Sequence, residues 1–386
     1  MSFRFNDELL LTEADRSLAQ KTYPTVFFAL DNPELREEFL RVDEIAKNAK
    51  SRSHRIGFSA LIFATLSLLT FPAEPIVKGI WQSSTEYAIM FQYLTILGAV
   101  FGFLALILGN LSLGFGKFKR SWLQQRLITE RLRQWHAQYL TAHMVEIAEI
   151  AANSVDASDW VSKRAVAFER FKRGFIDQIG SEYAKYTISS AASFSGQSVS
   201  DPSAKAAFWI DETWAGAAAR KPDKANQSAL NEVYRAYEET RMLGQIQYTN
   251  YVLSADGPFW SSPSKQTHIL GNLSYILVML AFVSNFVALV SAVWPGFPLD
   301  WPLLSSLAIS FAIIAVGVRA MLEGLRPERE NRRMQFYASA INHAGKSFDA
   351  ARSHGKRIEA ASMLERASFD EMVEFISSNE RARFVL

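Results

Sequence analysis

The chain has 386 residues, 41 Lys and Arg against 39 Asp and Glu, a net charge of +2 and a mean hydropathy near zero. That balance excludes a wholly lipid-buried bundle and argues against a nucleic-acid partner, which calls for a basic surface. With no cysteine, a disulfide framework, a thiolate nucleophile and a cysteine zinc site are all excluded.

Residues 1–55 predict N-terminal cytoplasmic helices, broken at Pro24 and at Asn32–Pro33. Leu35, Phe39, Leu40, Val42 and Ile45 form an apolar stripe on a helix that runs unbroken into the membrane. The start is too charged for a cleavable signal peptide (Glu13, Asp15, Arg16, Glu34, Arg36), so the first span is expected to be its own insertion signal. Residues 56–116 hold a first transmembrane hairpin, with apolar segments at 56–71 and 88–115. A bilayer core about 30 Å thick needs roughly 20 helical residues, and Ile56–Phe71 falls short before Pro72 and Pro75. It must extend upstream, thin the bilayer, or use Ile76, Val77, Ile80 and Trp81 beyond the prolines.

Residues 117–265 form a cytoplasmic helical region. Phe118 to Ala152 predicts one long helix with Trp122, Leu127, Leu132, Trp135 and Tyr139 on one face and no proline or glycine within it. Trp160 to Tyr186 predicts a second helix, Ser189 to Pro202 a loop, Ala206 to Trp214 a short amphipathic piece, and Ala229 to Leu253 a further helix. Asp256-Gly257-Pro258 ends that helix. Residues 266–322 hold a second hairpin, with segments at 269–294 and 302–322, and residues 323–386 predict C-terminal cytoplasmic helices at 326–354 and 368–383. The outline of arm, hairpin and arm repeats; a tandem duplication or convergent membrane topology would each produce it.

The fold class expected is therefore an all-α integral membrane protein, four transmembrane helices as two hairpins with long cytoplasmic helical arms. Orientation follows from the basic flanks: Lys47, Lys50, Arg52 and Arg55 before the first span, Lys117, Lys119 and Arg120 after the second, and Arg326, Arg329, Arg332 and Arg333 after the fourth. The hairpin loops hold only Lys78. Both termini are thus expected on the cytoplasmic side, with Trp81, Trp294 and Trp301 at the opposite interface.

Each span carries small residues at alternating three and four spacing. They are Gly57, Ala60, Ala64 and Ser67; Gly98, Gly102, Ala105, Gly109 and Ser112; Ala281, Ser284, Ala288 and Ser291; and Ser305, Ala308, Ala312 and Ala315. Such stripes allow close helix packing, or in an oligomer they line a pore together with Asn285 or Thr65. Asn285 is the most polar residue deep in any span, and it calls for an interhelical hydrogen bond or a cavity.

The sequence offers no catalytic, cofactor or metal site. The six histidines form no HExxH pattern, and His136 and His143 beside Glu146 and Glu149 read as neighbours on a solvated helix face. Asp211-Glu212 and Glu238-Glu239 read as solvated faces too, and Gly114, Gly116, Lys117 and Lys119 as a flexible joint with anchors rather than a phosphate loop.

The run SWLQQRLITERLRQWHAQY (Ser121 to Tyr139), directly after a two-helix hairpin, resembles the post-membrane helix of the SLATT family, the SMODS- and SLOG-associating two-transmembrane effectors. Trp122, Arg126 and Glu130 to Arg133 carry the likeness. RMLGQIQYTNYVL (Arg241 to Leu253) is similar to the helix ahead of the hairpin in another SLATT subgroup. The resemblance implies a non-enzymatic effector of bacterial antiphage defence. Such a protein is held quiet until a cytoplasmic sensor or nucleotide-signalling protein triggers it, and then homo-oligomerises as a pore or ion channel that breaches the inner membrane. The competing expectation is a membrane scaffold that recruits cytoplasmic partners through its arms; an enzyme acting on lipid or nucleotide ranks third, for want of a nucleophile or metal motif.

Overall fold

A computed structural model describes residues 7–80, 84–110, 112–153, 155–181, 183, 214–254, 258–259, 262–294 and 301–381. These are helical, with no strand among the described residues. In chain order the helices are α1 (Glu13–Thr22), α2 (Phe27–Leu30), α3 (Pro33–Leu69), α4 (Ala73–Ile80), α5 (Ser84–Asn110), α6 (Ser112–Ala142), α7 (Met144–Asn153) and α8 (Ser158–Phe171). After them come α9 (Trp214–Ala217), α10 (Gln227–Tyr237), α11 (Leu243–Leu253), α12 (Pro263–Val293), α13 (Trp301–Leu325), α14 (Pro327–Ala350) and α15 (His354–Arg381). Single turns of wider π-helix follow α8 at Lys172–Ile176 and join α10 to α11 at Glu238–Met242.

Local chemistry sets several of these ends. Thr12 caps α1 by accepting from the Asp15 amide at 3.1 Å, and Asn32 caps α3 by accepting from Leu35, with Pro33 in the first turn where a missing N–H costs nothing. Ser262 and Pro263 open α12 the same way. Arg326, at φ 49°, takes the left-handed conformation that ends α13, its amide donating to the Leu322 carbonyl at 2.7 Å before Pro327 opens α14.

Among the described residues, three helices are long and apolar enough to cross a membrane: Tyr87–Gly109 within α5, all of α12, and the run that starts at Trp301 with α13. The segment beginning at Ile56 is not among them. It is the end of α3, which stops at Leu69, so any 18-residue stretch of that helix reaches back over Arg52, His54 and Arg55. Ile76, Val77 and Ile80 belong to the separate helix α4 and do not lengthen it.

Other expectations shift as well. The predicted Phe118–Ala152 helix is divided at His143, whose ring bonds the Tyr139 carbonyl at 2.8 Å. A side chain held on that carbonyl competes with the backbone ladder. The last helix starts at His354, well before residue 368, and Gly114 and Gly116, read as a joint, lie inside α6. The expected loop at Ser189–Pro202 lies outside the described residues, as does Ala206–Trp214 apart from Trp214.

The chain divides into two compact units, each assembled from separated stretches. The helical unit takes 1–48, 121–257 and 330–380; the apolar unit takes 49–120 and 258–329, with 381–386. The core of the helical unit includes Phe39, Leu127, Leu132, Met144, Ile147, Phe168, Tyr237, Ile341, Phe348 and Leu364. A tucked N-terminal segment completes it: Leu9 and Leu10 are buried, Leu10 at a left-handed φ of 53°.

Candidate functional site

In the apolar unit, glycines let neighbouring side chains seat directly against the helix backbone. A Cβ added to Gly98 would lie 2.9 Å from both Thr70 Cβ and Cγ2, and one added to Gly102 would lie 2.9 Å from Ser67 Oγ. Ser67 itself donates to the Gly98 carbonyl at 2.9 Å, and Phe63 stacks on Phe101 at 5.7 Å. The apolar end of α3 therefore lies directly against α5. It also meets α13, where a Cβ on Gly317 would come 2.8 Å from Thr65 Oγ1. Thr65, named as a candidate pore residue, spends its hydroxyl on the Leu61 carbonyl.

Helices α12 and α13 pack along their length, and Arg319 Nε donating to Ser274 Oγ at 3.3 Å fixes their register. The face that α12 presents to the unit holds Leu270, Ser274, Leu277 and Ala288 buried, with Ala281 and Ser284 half-buried between them. On α13, Ala308 and Ala315 are buried and Ser305 half-buried, while Ala312 is exposed. On α5, Gly98 is buried, Gly102 and Ala105 are half-buried, and Gly109 is exposed with nothing within 4 Å. Asn285 is exposed. The small-residue stripes thus divide between contacts inside the unit and positions facing outward.

The outward faces are strongly apolar, with Phe103, Leu106, Phe282 and Leu289 each more than 60% exposed. Burying such side chains is worth about 1.5–3 kcal/mol each, so this surface demands lipid or protein against it.

Of the residues expected to orient the chain, Arg52 holds its guanidinium 5.9 Å above the Phe118 ring, and Arg55 and Arg120 are exposed. Lys119 and Arg329 are half-buried, and Arg326 pairs with Glu323 at 2.7 Å. Lys117 sits in α6, its side chain outside the described residues.

The helical unit contains a site that the sequence reading did not single out. Arg241, in the wide turn between α10 and α11, is buried and donates through Nε and Nη2 to both carboxylate oxygens of fully buried Glu365 on α15, at 2.9 and 2.8 Å. Its remaining nitrogen donates to Glu8 of the N-terminal segment at 2.6 Å. Tyr237 adds a hydroxyl to Glu365 at 3.1 Å, and Gln245 donates to Glu8 at 3.2 Å. Arg133 of α6 lies 3.1 Å from Asp7 and 3.3 Å from Glu8. Tyr337 of α14 donates to Gln245 at 2.8 Å and contacts Ser368 at 2.9 Å. All three stretches of chain that build the unit meet in this cluster.

Its electrostatics follow from burial. Loss of water works against the charge on Arg133 and Arg241, but Glu130, Asp7 and Glu8 around the first, and Glu365 and Glu8 around the second, hold both guanidinium groups protonated more firmly than usual. Burial pushes the Glu365 carboxyl up, and Arg241 offsets this only in part. A related acid, Glu371, is pushed by burial up to about 7 although Arg333 sits 3.4 Å away. Glu371 and Arg333 line an open groove of about 530 Å³ between α14 and α15, with Phe336, Met363 and Arg366 along it.

His136 and His143 are buried, contrary to the solvated face expected of them. Burial lowers His136 to about 3 and keeps it neutral, while His143 stacks on Tyr139 at 4.2 Å. Glu238 and Glu239 are half-buried, and Asp211-Glu212 lies outside the described residues. No cluster of three or more His, Asp or Glu able to hold a metal occurs among the described residues. Comparison with known protein families, characterised proteins and solved structures finds no match to this chain.

Proposed function

We propose that this chain is a non-enzymatic membrane protein that homo-oligomerises to form a pore or otherwise breach the bilayer, as a triggered effector of antiphage defence in the bacterial inner membrane. In this reading both hairpins span, the termini are cytoplasmic, and the helical unit receives the trigger from a sensor or nucleotide-signalling protein. The observation that carries it is the outward apolar surface of α5 and α12, together with small and polar residues, Gly109, Asn285 and Ala312, that face outward rather than into the unit. The contacts of Thr65, Ser67 and Thr70 with Gly317, Gly102 and Gly98 support a four-span bundle, because they seat the short end of α3 among helices able to cross.

The test is dye or ion leakage from cells or vesicles carrying the full chain, beside its mass in detergent. Leakage with an oligomeric mass is expected; a strict monomer with no permeability change on triggering refutes the reading. One observation favours the alternative, a scaffold that recruits cytoplasmic partners: the open groove with Phe336 69% and Met363 44% exposed. Stable capture of a partner through that groove without any leakage would select it.

A further inference from the structure

Asn285 lies deep within α12. At 1.5 Å per residue it is about 14 Å along the axis from Trp294 at the end of the helix and about 20 Å from Asn272, the next carboxamide along α12. Its side chain is exposed, and no hydrogen bond to it occurs among the described residues. Three helical asparagines of this chain, Asn153, Asn342 and Asn379, instead fold back onto the carbonyl four residues earlier at 2.8, 2.7 and 3.0 Å. An amide at that depth in hydrocarbon is costly unless something bonds it, and lipid tails offer nothing. Gln92, the comparable amide of α5, is only five residues past Tyr87, near the end of its apolar run.

The surroundings of Asn285 form a pattern. Val278, Phe282, Asn285 and Leu289 recur at spacings of four, three and four, all exposed. That repeat keeps one stripe turned toward one neighbouring helix. It is distinct from the stripe of Leu270, Ser274, Leu277 and Ala288 that packs within the unit.

We propose that the Val278–Phe282–Asn285–Leu289 stripe is a parallel self-association surface, on which Asn285 hydrogen-bonds to Asn285 of a second copy of this chain. The occupant follows from symmetry and chemistry. Copies inserted with one topology are related by an axis along the membrane normal, so α12 runs parallel to its mate and residue 285 meets residue 285 at equal depth. A carboxamide both donates and accepts, so two of them satisfy each other, and a single buried Asn in such a repeat also fixes register. This surface rests on the self-associating membrane reading given above and names its contact.

Because the chain has no cysteine, one introduced thiol reports on one position. Full-length Asn285→Cys, Phe282→Cys and Leu289→Cys are expected to cross-link to a covalent dimer on oxidation in membranes, while Ile276→Cys and Val283→Cys, on the opposite side of α12, are not. In parallel, Asn285→Leu is expected to weaken the dimer in detergent about 3- to 30-fold, and Asn285→Gln to retain it. Leakage is measured on every variant. No cross-link at 282, 285 or 289, or preferential cross-linking at 276 and 283, overturns the surface even if the protein still permeabilises; cross-linking at 285 without leakage leaves the surface standing and removes the pore.

Discussion

Replacing Arg241 by Met removes the cation shared by Glu8 and Glu365 while keeping most of its volume. Among the described residues, fully buried Glu365 is left with only the Tyr237 hydroxyl at 3.1 Å, and Glu8 with Arg133 at 3.3 Å and Gln245 at 3.2 Å. Stranding one partner of a buried pair costs about 3–5 kcal/mol, which for a unit of this size lowers the melting temperature by about 6–20 °C. The cost depends on pH. Without Arg241 the Glu365 carboxyl, already raised by burial, rises further and binds its proton more tightly folded than unfolded. Stability is then greatest below the unfolded value and falls as pH rises toward the folded one. Melting of the full-length variant in detergent, followed by tryptophan fluorescence at pH 5 and pH 8, should therefore show the larger loss at pH 8. The double variant Arg241→Met/Glu365→Leu should recover at least half of it. A loss below about 1 kcal/mol, or one equal at both pH values, would refute the reasoning.

Gly98→Ala pushes a methyl against Thr70 at 2.9 Å and is expected to cost about 1–3 kcal/mol; Gly109→Ala, with open space around it, should be neutral or stabilising by up to about 1 kcal/mol, both read from melting in detergent. Glu371, raised to about 7, binds a proton in the folded state that the unfolded chain has released. It should therefore contribute stability that is present at pH 4 and falls by roughly 3 kcal/mol as pH rises to 7, and Glu371→Gln should flatten that slope. Phe336→Ala, on an exposed side chain, should change melting by less than about 0.5 kcal/mol while weakening any partner captured in the groove, as measured by pull-down with the full chain.

Hydropathy made α5, α12 and α13 legible because lipid-length apolar runs are a property of adjacent residues. The short apolar segment from Ile56 was equally visible, but its surroundings were not, since they depend on Leu69 ending α3 and on glycines of α5 and α13 that accept its side chains. The helix break at His143 left no trace in propensity, as a ring-to-carbonyl bond made it rather than a proline or glycine. The charge cluster stayed hidden because its partners lie far apart: Arg241 is 233 residues from Glu8 and 124 from Glu365. A trace of it existed. Arg241 continues the buried stripe of Leu230, Tyr234 and Tyr237, and Glu365 that of Ile358, Ala361 and Met372; a charge on an apolar stripe asks for a buried partner.

The helical unit draws on three stretches of chain with apolar helices between them, and this sets an order of synthesis. Glu8 leaves the ribosome first, yet Arg241 follows only after α5 has been made, and Glu365 only after α12 and α13. Until then Glu8 and Arg241 have no complete site. The core of the helical unit can therefore close only once the last long helix, α15, has been made, after every apolar helix that interrupts it.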